Sequence, residues 1–393
     1  MNCLVKGFAT IALAILMGFC AGSASFADTG AAAAGKGVMF LPKEQRLAAF
    51  RNMGAVAKTN PVRARGSARA LPKGAPLALD FDMDAAMAAQ HAVGLIVLVD
   101  GRTRYERYAP DSGAATRWVS FSVTKSITAT LIGAALQDGA IRSLDEPVSR
   151  YVPDLAGSAY DQVSIRQLMK MSSGIRWNES YADPNSDVAR LDFTPPDPGV
   201  DVTVSYMRKL PRARPAGRKW HYSTGDANLL GVVLSSATGK SLSRYLSEKI
   251  WTPAGMEADA NWVLGATGHE IGGCCISMRL RDLARFGLFM LDDGRAAGGR
   301  SILPKGWVRE ATGRQIRTGI GGWSYGYQWW VLPDGSYAAL GIFGQSLFID
   351  PKRRLIVAMN ANWPKASSAA LEVGRAALFA RIQRAVDRSE AQP

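Results

Sequence analysis

The chain has 393 residues, is 47% hydrophobic and 20% charged, and carries a formal net charge of +14, a globular composition long enough for two subdomains. Its arginines are scattered, with no helical Lys/Arg stripe interleaved with aromatics, so no nucleic-acid partner is expected. Three histidines (His91, His221, His269) and the absence of C-x-x-C or H-x-x-x-H spacing argue against a metal site, and no cofactor is implied.

Residues 1–27 have the pattern of a signal peptide. Lys6 opens a positive segment, Phe8 to Phe19 is apolar, and Ser25-Phe26-Ala27 places small side chains where a signal peptidase reads. The apolar run is too short to span a bilayer, and Phe19 is too bulky for a lipid-attachment site at Cys20. Cleavage after Ala27 and export, to the periplasm or beyond, is the expectation, with no integral membrane segment left. The remaining chain has 46 basic against 33 acidic residues, a surplus suited to a basic exported protein. Only Cys274 and Cys275 then remain. Adjacent cysteines bridge only through a strained ring, so the sequence allows two thiols or a vicinal disulfide.

Residues 28–75 are rich in Ala, Gly and Arg with little periodicity and read as an irregular N-terminal arm. Leu95 to Val99, an Asp100-Gly101 turn and Arg102 to Tyr108 predict a β-hairpin. Ser122-Val123-Thr124-Lys125 then opens a helix that is apolar on almost every face and ends at Asp138-Gly139. From about 146 to 287 the pattern is helical. Ser164 caps Ile165–Met171, Gly239 stops a helix from Asp226 to Thr238, Ser241 to Trp251 is amphipathic, and Ser277 is placed to cap a helix through Leu291. The stretch from Tyr181 to Val200 is too long for a plain connector. Strands return over Tyr325–Val331, Tyr337–Phe343, Ser346–Ile349 and Leu355–Asn360, and Ala369–Val386 closes the chain as an amphipathic helix. The expected fold is α+β: a central antiparallel sheet assembled from residues 76–145 and 288–393, flanked by helices, with an inserted helical subdomain at 146–287.

The chemistry resides in three segments. Ser122 and Lys125 lie one turn apart on one helix face, where a desolvated lysine can accept the serine proton without a histidine. Unpaired N–H groups and the positive dipole end at this helix start favour an oxyanion. Tyr222, in a polar turn before a helix, is the candidate to pass the proton on to a leaving group. Gly341-Ile342-Phe343-Gly344-Gln345 has glycines that let a substrate approach the backbone, and it is the candidate for a second oxyanion N–H.

With these motifs in order, residues 80 to 385 resemble the penicillin-recognising serine hydrolases (class C β-lactamases, DD-peptidases and related esterases), and within them the 6-aminohexanoate-dimer hydrolases. Ser122-Val123-Thr124-Lys125 matches the S-x-x-K box, Tyr222-Ser223-Thr224 sits at Y-x-N, and Ile342-Phe343-Gly344 at K-T-G. The resemblance implies a β-lactamase/transpeptidase-like fold and a small amide or ester substrate. It makes Ser122 the acylated nucleophile, Lys125 its proton acceptor and Tyr222 the acid/base. The N–H groups of Ser122 and Gln345 would form the oxyanion hole, and Tyr181, Phe343 and Gly344 would contact substrate. Thr224 replaces the family asparagine, and Ile342 removes the cation that binds a β-lactam carboxylate. A cell-wall DD-peptidase or weak β-lactamase, and a non-catalytic penicillin-binding module, remain the alternatives. Oligomeric state is not readable.

Overall fold

The computed structural model describes Val38 and residues 41–391; the expected signal peptide lies outside the described residues. An eight-stranded antiparallel sheet runs in the order Arg102–Tyr108, Ala92–Val99, Leu355–Ala361, Ser346–Asp350, Tyr337–Leu340, Trp330–Val331, Ser324–Tyr325, Ile316–Arg317. Leu95 to Val99 is continuously apolar because both faces of the strand are covered. Leu95, Val97 and Val99 pack with Phe348, Val357, Phe379 and Ile382 under the closing helix Ala369–Ala391. Ile96 and Leu98 face the core shared by the helices Val123–Gln137 and Leu280–Leu291.

Residues 28–75 are not irregular throughout. Lys43–Arg51 is helical and Thr59–Val62 is a strand paired with Ala260–Val263. The helix is polar in sequence and sends only Arg46, Ala49 and Phe50 inward, so no apolar period announces it. A second sheet follows from this pairing, ordered Thr59–Val62, Ala260–Val263, Ile276–Arg279, Arg117–Val119. Two of its strands fall inside the segment expected to be helical. Ser277 therefore lies in a strand, and the helix that it was expected to cap begins at Leu280 after Arg279. Strands of four residues are too short to show alternation.

The helical block is centred on Thr224–Thr238, capped by Ser223 and stopped by Gly239 at φ 64°. Gly272 crosses this helix closely: a Cβ there would lie 2.7 Å from the Ala227 carbonyl oxygen and 2.8 Å from Gly231 Cα. The absence of that Cβ lets residues 272–275 run between this helix and Val123–Gln137.

Candidate active site

Arg117–Val119 carries the chain off the small sheet into the turn that holds Ser122. Ser120 N–H donates to the Ile276 carbonyl at 2.9 Å, and Ile276 N–H reaches Ser120 Oγ at 3.2 Å and Thr124 Oγ1 at 3.1 Å, which pins the turn to the sheet. Phe121 sits at φ 45°, a conformation unfavourable for a bulky residue, and it is held there by packing against Phe50 and Phe343 at ring-centroid distances of 4.9 and 5.5 Å. Ser122 is the half-exposed N-cap of Val123–Gln137 and accepts no capping bond from that helix, so its hydroxyl is left for chemistry.

Lys125 is 1% exposed. Its Nζ lies 2.9 Å from Ser122 Oγ and donates to the Gly273 carbonyl, also at 2.9 Å. Gly273 N–H in turn donates to Asn228 Oδ1 at 2.9 Å, fixing that carbonyl. Burial lowers the Lys125 pKa to about 8, against the opposing pull of the Glu179 charge. When neutral, this amine keeps a proton on the Gly273 carbonyl and turns its lone pair to the serine hydroxyl. The Tyr222 ring lies 5.3 Å from Nζ and stacks on Trp330 at 5.9 Å. Burial, then the Glu179 charge, raise the Tyr222 pKa well above the ordinary phenol value, while a hydrogen bond with Ser122 opposes them. Tyr222 therefore stays protonated at neutral pH and can give a proton.

Glu179 was not singled out by the sequence. It accepts the Thr224 N–H at 2.9 Å, the Thr224 hydroxyl, the Tyr181 hydroxyl and the Trp177 indole N–H. Thr224, at the position of the family asparagine, thus binds a carboxylate beside the reacting groups. The one sequence signal was the Trp177-x-Glu179-x-Tyr181 spacing, easily read as a surface loop.

Two cavities meet at Ser122, Tyr181 and Ile342. One, about 440 Å³, is lined by Lys125, Trp177, Asn228 and the apolar residues Val188, Leu191 and Phe193, with Met53, Val56 and Ala57 supplied by the N-terminal segment. Cys274 and Cys275 also line it, joined as a vicinal disulfide. The other, about 540 Å³, opens from Tyr222 toward Trp323, Trp330, Trp363 and the closing helix.

The segment 341–345 departs from expectation. Phe343 is fully buried against Phe50 and Phe121, and neither it nor Gly344 lines a cavity. Gln345 is also fully buried. Its side chain accepts from Trp118 Nε1 at 2.9 Å and from Ala361 N–H at 3.1 Å, and donates to the Ala361 carbonyl at 2.7 Å. Ile342 faces both cavities, because Phe343 at φ 58° turns the chain inward just after it. His221 and His269 bond to the Trp177 carbonyl and to Asp201, each as a structural link. No cluster able to hold a metal ion occurs among the described residues.

A serine and a dehydrated lysine one turn apart, with a protonated tyrosine against them, define a serine hydrolase working without histidine. The β-lactamase family profile matches residues 80–381, and the chain belongs to that family. It is 31% identical over 301 residues to the 6-aminohexanoate-dimer hydrolase of Paenarthrobacter ureafaciens, covering 71% of this chain and 74% of that one. Among solved structures it resembles a Bacillus anthracis protein inferred to be a 6-aminohexanoate-dimer hydrolase, with a TM-score of 0.78 at 22% identity over 88% of this chain and 95% of that one. It also resembles EstCE1, a hydrolase with promiscuous acyltransferase activity, with a TM-score of 0.61 at 17% identity over 75% and 96%. These two establish the fold.

Proposed function

We propose that this β-lactamase-family hydrolase is exported and cleaves a small linear amide or ester through an acyl-enzyme on Ser122. The observation that carries the reading is the 2.9 Å approach of the buried Lys125 amine to Ser122 Oγ at the junction of two cavities. Ser122 Oγ attacks the carbonyl carbon as Lys125 takes its proton. The developing oxyanion is received by the N–H groups of Ser122 and Ile342, the latter in the place expected of Gln345, which is fully buried and lines neither cavity, and Tyr222 protonates the departing amine or alcohol. Water then repeats the sequence on the acyl group. Where K-T-G enzymes present a lysine, this cavity presents Ile342, so benzylpenicillin is expected to be a poor substrate. Export rests on the Lys6, Phe8–Phe19 and Ser25–Ala27 pattern, and detection of a mature chain beginning near Asp28 in a periplasmic or culture fraction tests it.

The experiment for the mechanism is fluorophosphonate labelling followed by peptide mapping. Label is expected on Ser122, with labelling and turnover both lost in Ser122→Ala. Modification of another serine in the wild type would refute the scheme.

A further inference from the structure

Cys274 and Cys275 stand at the middle of a segment that touches both the buried lysine and the turn that holds Ser122. The carbonyl of Gly272 accepts the Thr128 hydroxyl at 2.7 Å, and that of Gly273 accepts the Lys125 amine at 2.9 Å. Beyond the pair, Ile276 N–H bonds to the hydroxyls of Ser120 and Thr124 on either side of Ser122. The Cys274 carbonyl accepts the Trp262 indole N–H at 3.0 Å, and the Cys275 carbonyl accepts the Val263 N–H at 3.2 Å. In an extended segment, neighbouring side chains point to opposite faces. Here both cysteines line the same cavity, beside Phe121 and Ile271, and a bridge joins them. Cys274 is partly exposed, whereas Cys275 is only 6% exposed.

A disulfide set in the wall of a cavity is within reach of small thiols, and access is one of the conditions that decide which bridges exchange. We infer that Cys274–Cys275 is a reversible redox site, opened by a low-molecular-weight dithiol that enters the cavity, and that only the closed pair holds the Gly273 carbonyl on Lys125. The inference rests on the acyl-enzyme reading above, in which Lys125 accepts the Ser122 proton. One thiolate of the dithiol attacks Cys274 Sγ, the more accessible sulfur. The S–S bond breaks, and its electron pair leaves on Cys275 Sγ, which takes up a proton. The second thiol of the reagent then displaces Cys274, also as a thiol, and closes a disulfide of its own. Two electrons and two protons pass to the protein, and a disulfide oxidant reverses both steps. With the bridge open, each side chain regains its own rotamers, and the backbone from Gly273 to Ile276 relaxes toward the alternation of a strand. That relaxation carries one sulfur out of the cavity wall and draws the Gly273 carbonyl away from Nζ.

The test reduces the native enzyme with excess dithiothreitol, removes the reagent, and maps the freed thiols with iodoacetamide on one portion while another is assayed on p-nitrophenyl butyrate. Both Cys274 and Cys275 are expected to take the alkyl group. In the assayed portion kcat/KM should fall about tenfold or more, mainly in kcat, as for loss of one hydrogen bond to a charged group. The rate of fluorophosphonate labelling of Ser122 should fall with it, and oxidised glutathione should restore both. Cys274→Ser/Cys275→Ser should sit at the reduced rate and ignore dithiothreitol. Cysteines that resist reduction in the folded enzyme overturn the site, as does an unchanged kcat/KM once both are shown to be reduced. A loss that reoxidation does not restore, or one shared by the double variant, also overturns it. The wild-type cycle decides the matter alone where the double variant does not fold. Equal labelling of Ser122 in the two states sinks the redox site only, and absence of label in the oxidised enzyme sinks the acyl-enzyme.

Discussion

In the mechanism proposed above, Lys125 sets the pH behaviour of the site. Its reactive form is the neutral amine, and burial brings the pKa down to about 8, so kcat/KM should climb from pH 6 and level off above that midpoint. The Glu179 carboxylate favours the charged lysine and therefore raises this pKa. Glu179→Gln removes that charge, and the midpoint of the profile should move to lower pH. A profile flat between pH 6 and 9, or a midpoint that rises in the variant, would separate Lys125 from the base role. The substitution keeps one acceptor oxygen for the Thr224 and Tyr181 hydroxyls but sets an amide NH2 against the Thr224 and Trp177 N–H groups, so a change in the pH midpoint, not a loss of rate, is the readout of the charge. Residues of this kind differ in how readable they are. Ser122, Lys125 and Tyr222 are spelled out by short spacings, because a helix turn or a turn-helix junction fixes their relation locally. Glu179 reaches the site only through a tertiary crossing, and no local rule points to it, whereas Ile342 is marked by its place in the third motif.

The elements that surprise are the short ones. The helix Lys43–Arg51 and the strand Thr59–Val62 come from a segment whose composition suggests a loose tail, yet the stretch between them supplies Met53, Val56, Ala57 and Lys58 to one wall of the cavity beside Lys125. Phe50 ties this wall to the reacting turn. It is fully buried, edge-on to Phe121 at 4.9 Å and against Phe343 at 5.2 Å. Phe50→Ala should cost about 3–5 kcal/mol in denaturant unfolding, the usual range for a fully buried phenylalanine. It should also lower kcat at temperatures where the variant remains folded, since Phe121 loses the partner that holds its positive φ. Full activity in a folded Phe50→Ala enzyme would show that the turn needs no such support. The long elements, by contrast, were legible: the apolar nucleophile helix, the 95–108 hairpin and the closing helix are long enough for period and caps to agree. The strands of the small sheet have four residues or fewer and carry no such redundancy.

At the scale of the whole molecule, the antiparallel sheet was readable from strands at both ends of the sequence with helices between them. What escaped was the second sheet, because its strands are recruited from residues 59–62, 117–119 and 260–279, three regions that look unrelated along the chain. No described helix is long and apolar enough to cross a membrane.

The pairing of Ala92–Val99 with Leu355–Ala361 has a further consequence, in time rather than in space. Every catalytic group lies between two strands that cannot meet until the last tenth of the polypeptide has been made, and contacts of such wide sequence separation form slowly. A growing chain therefore holds Ser122 and Lys125 without a finished site around them, and its hydrolytic power switches on only with completion. A chain ended after Leu340 should take no fluorophosphonate label at concentrations that saturate the full-length enzyme.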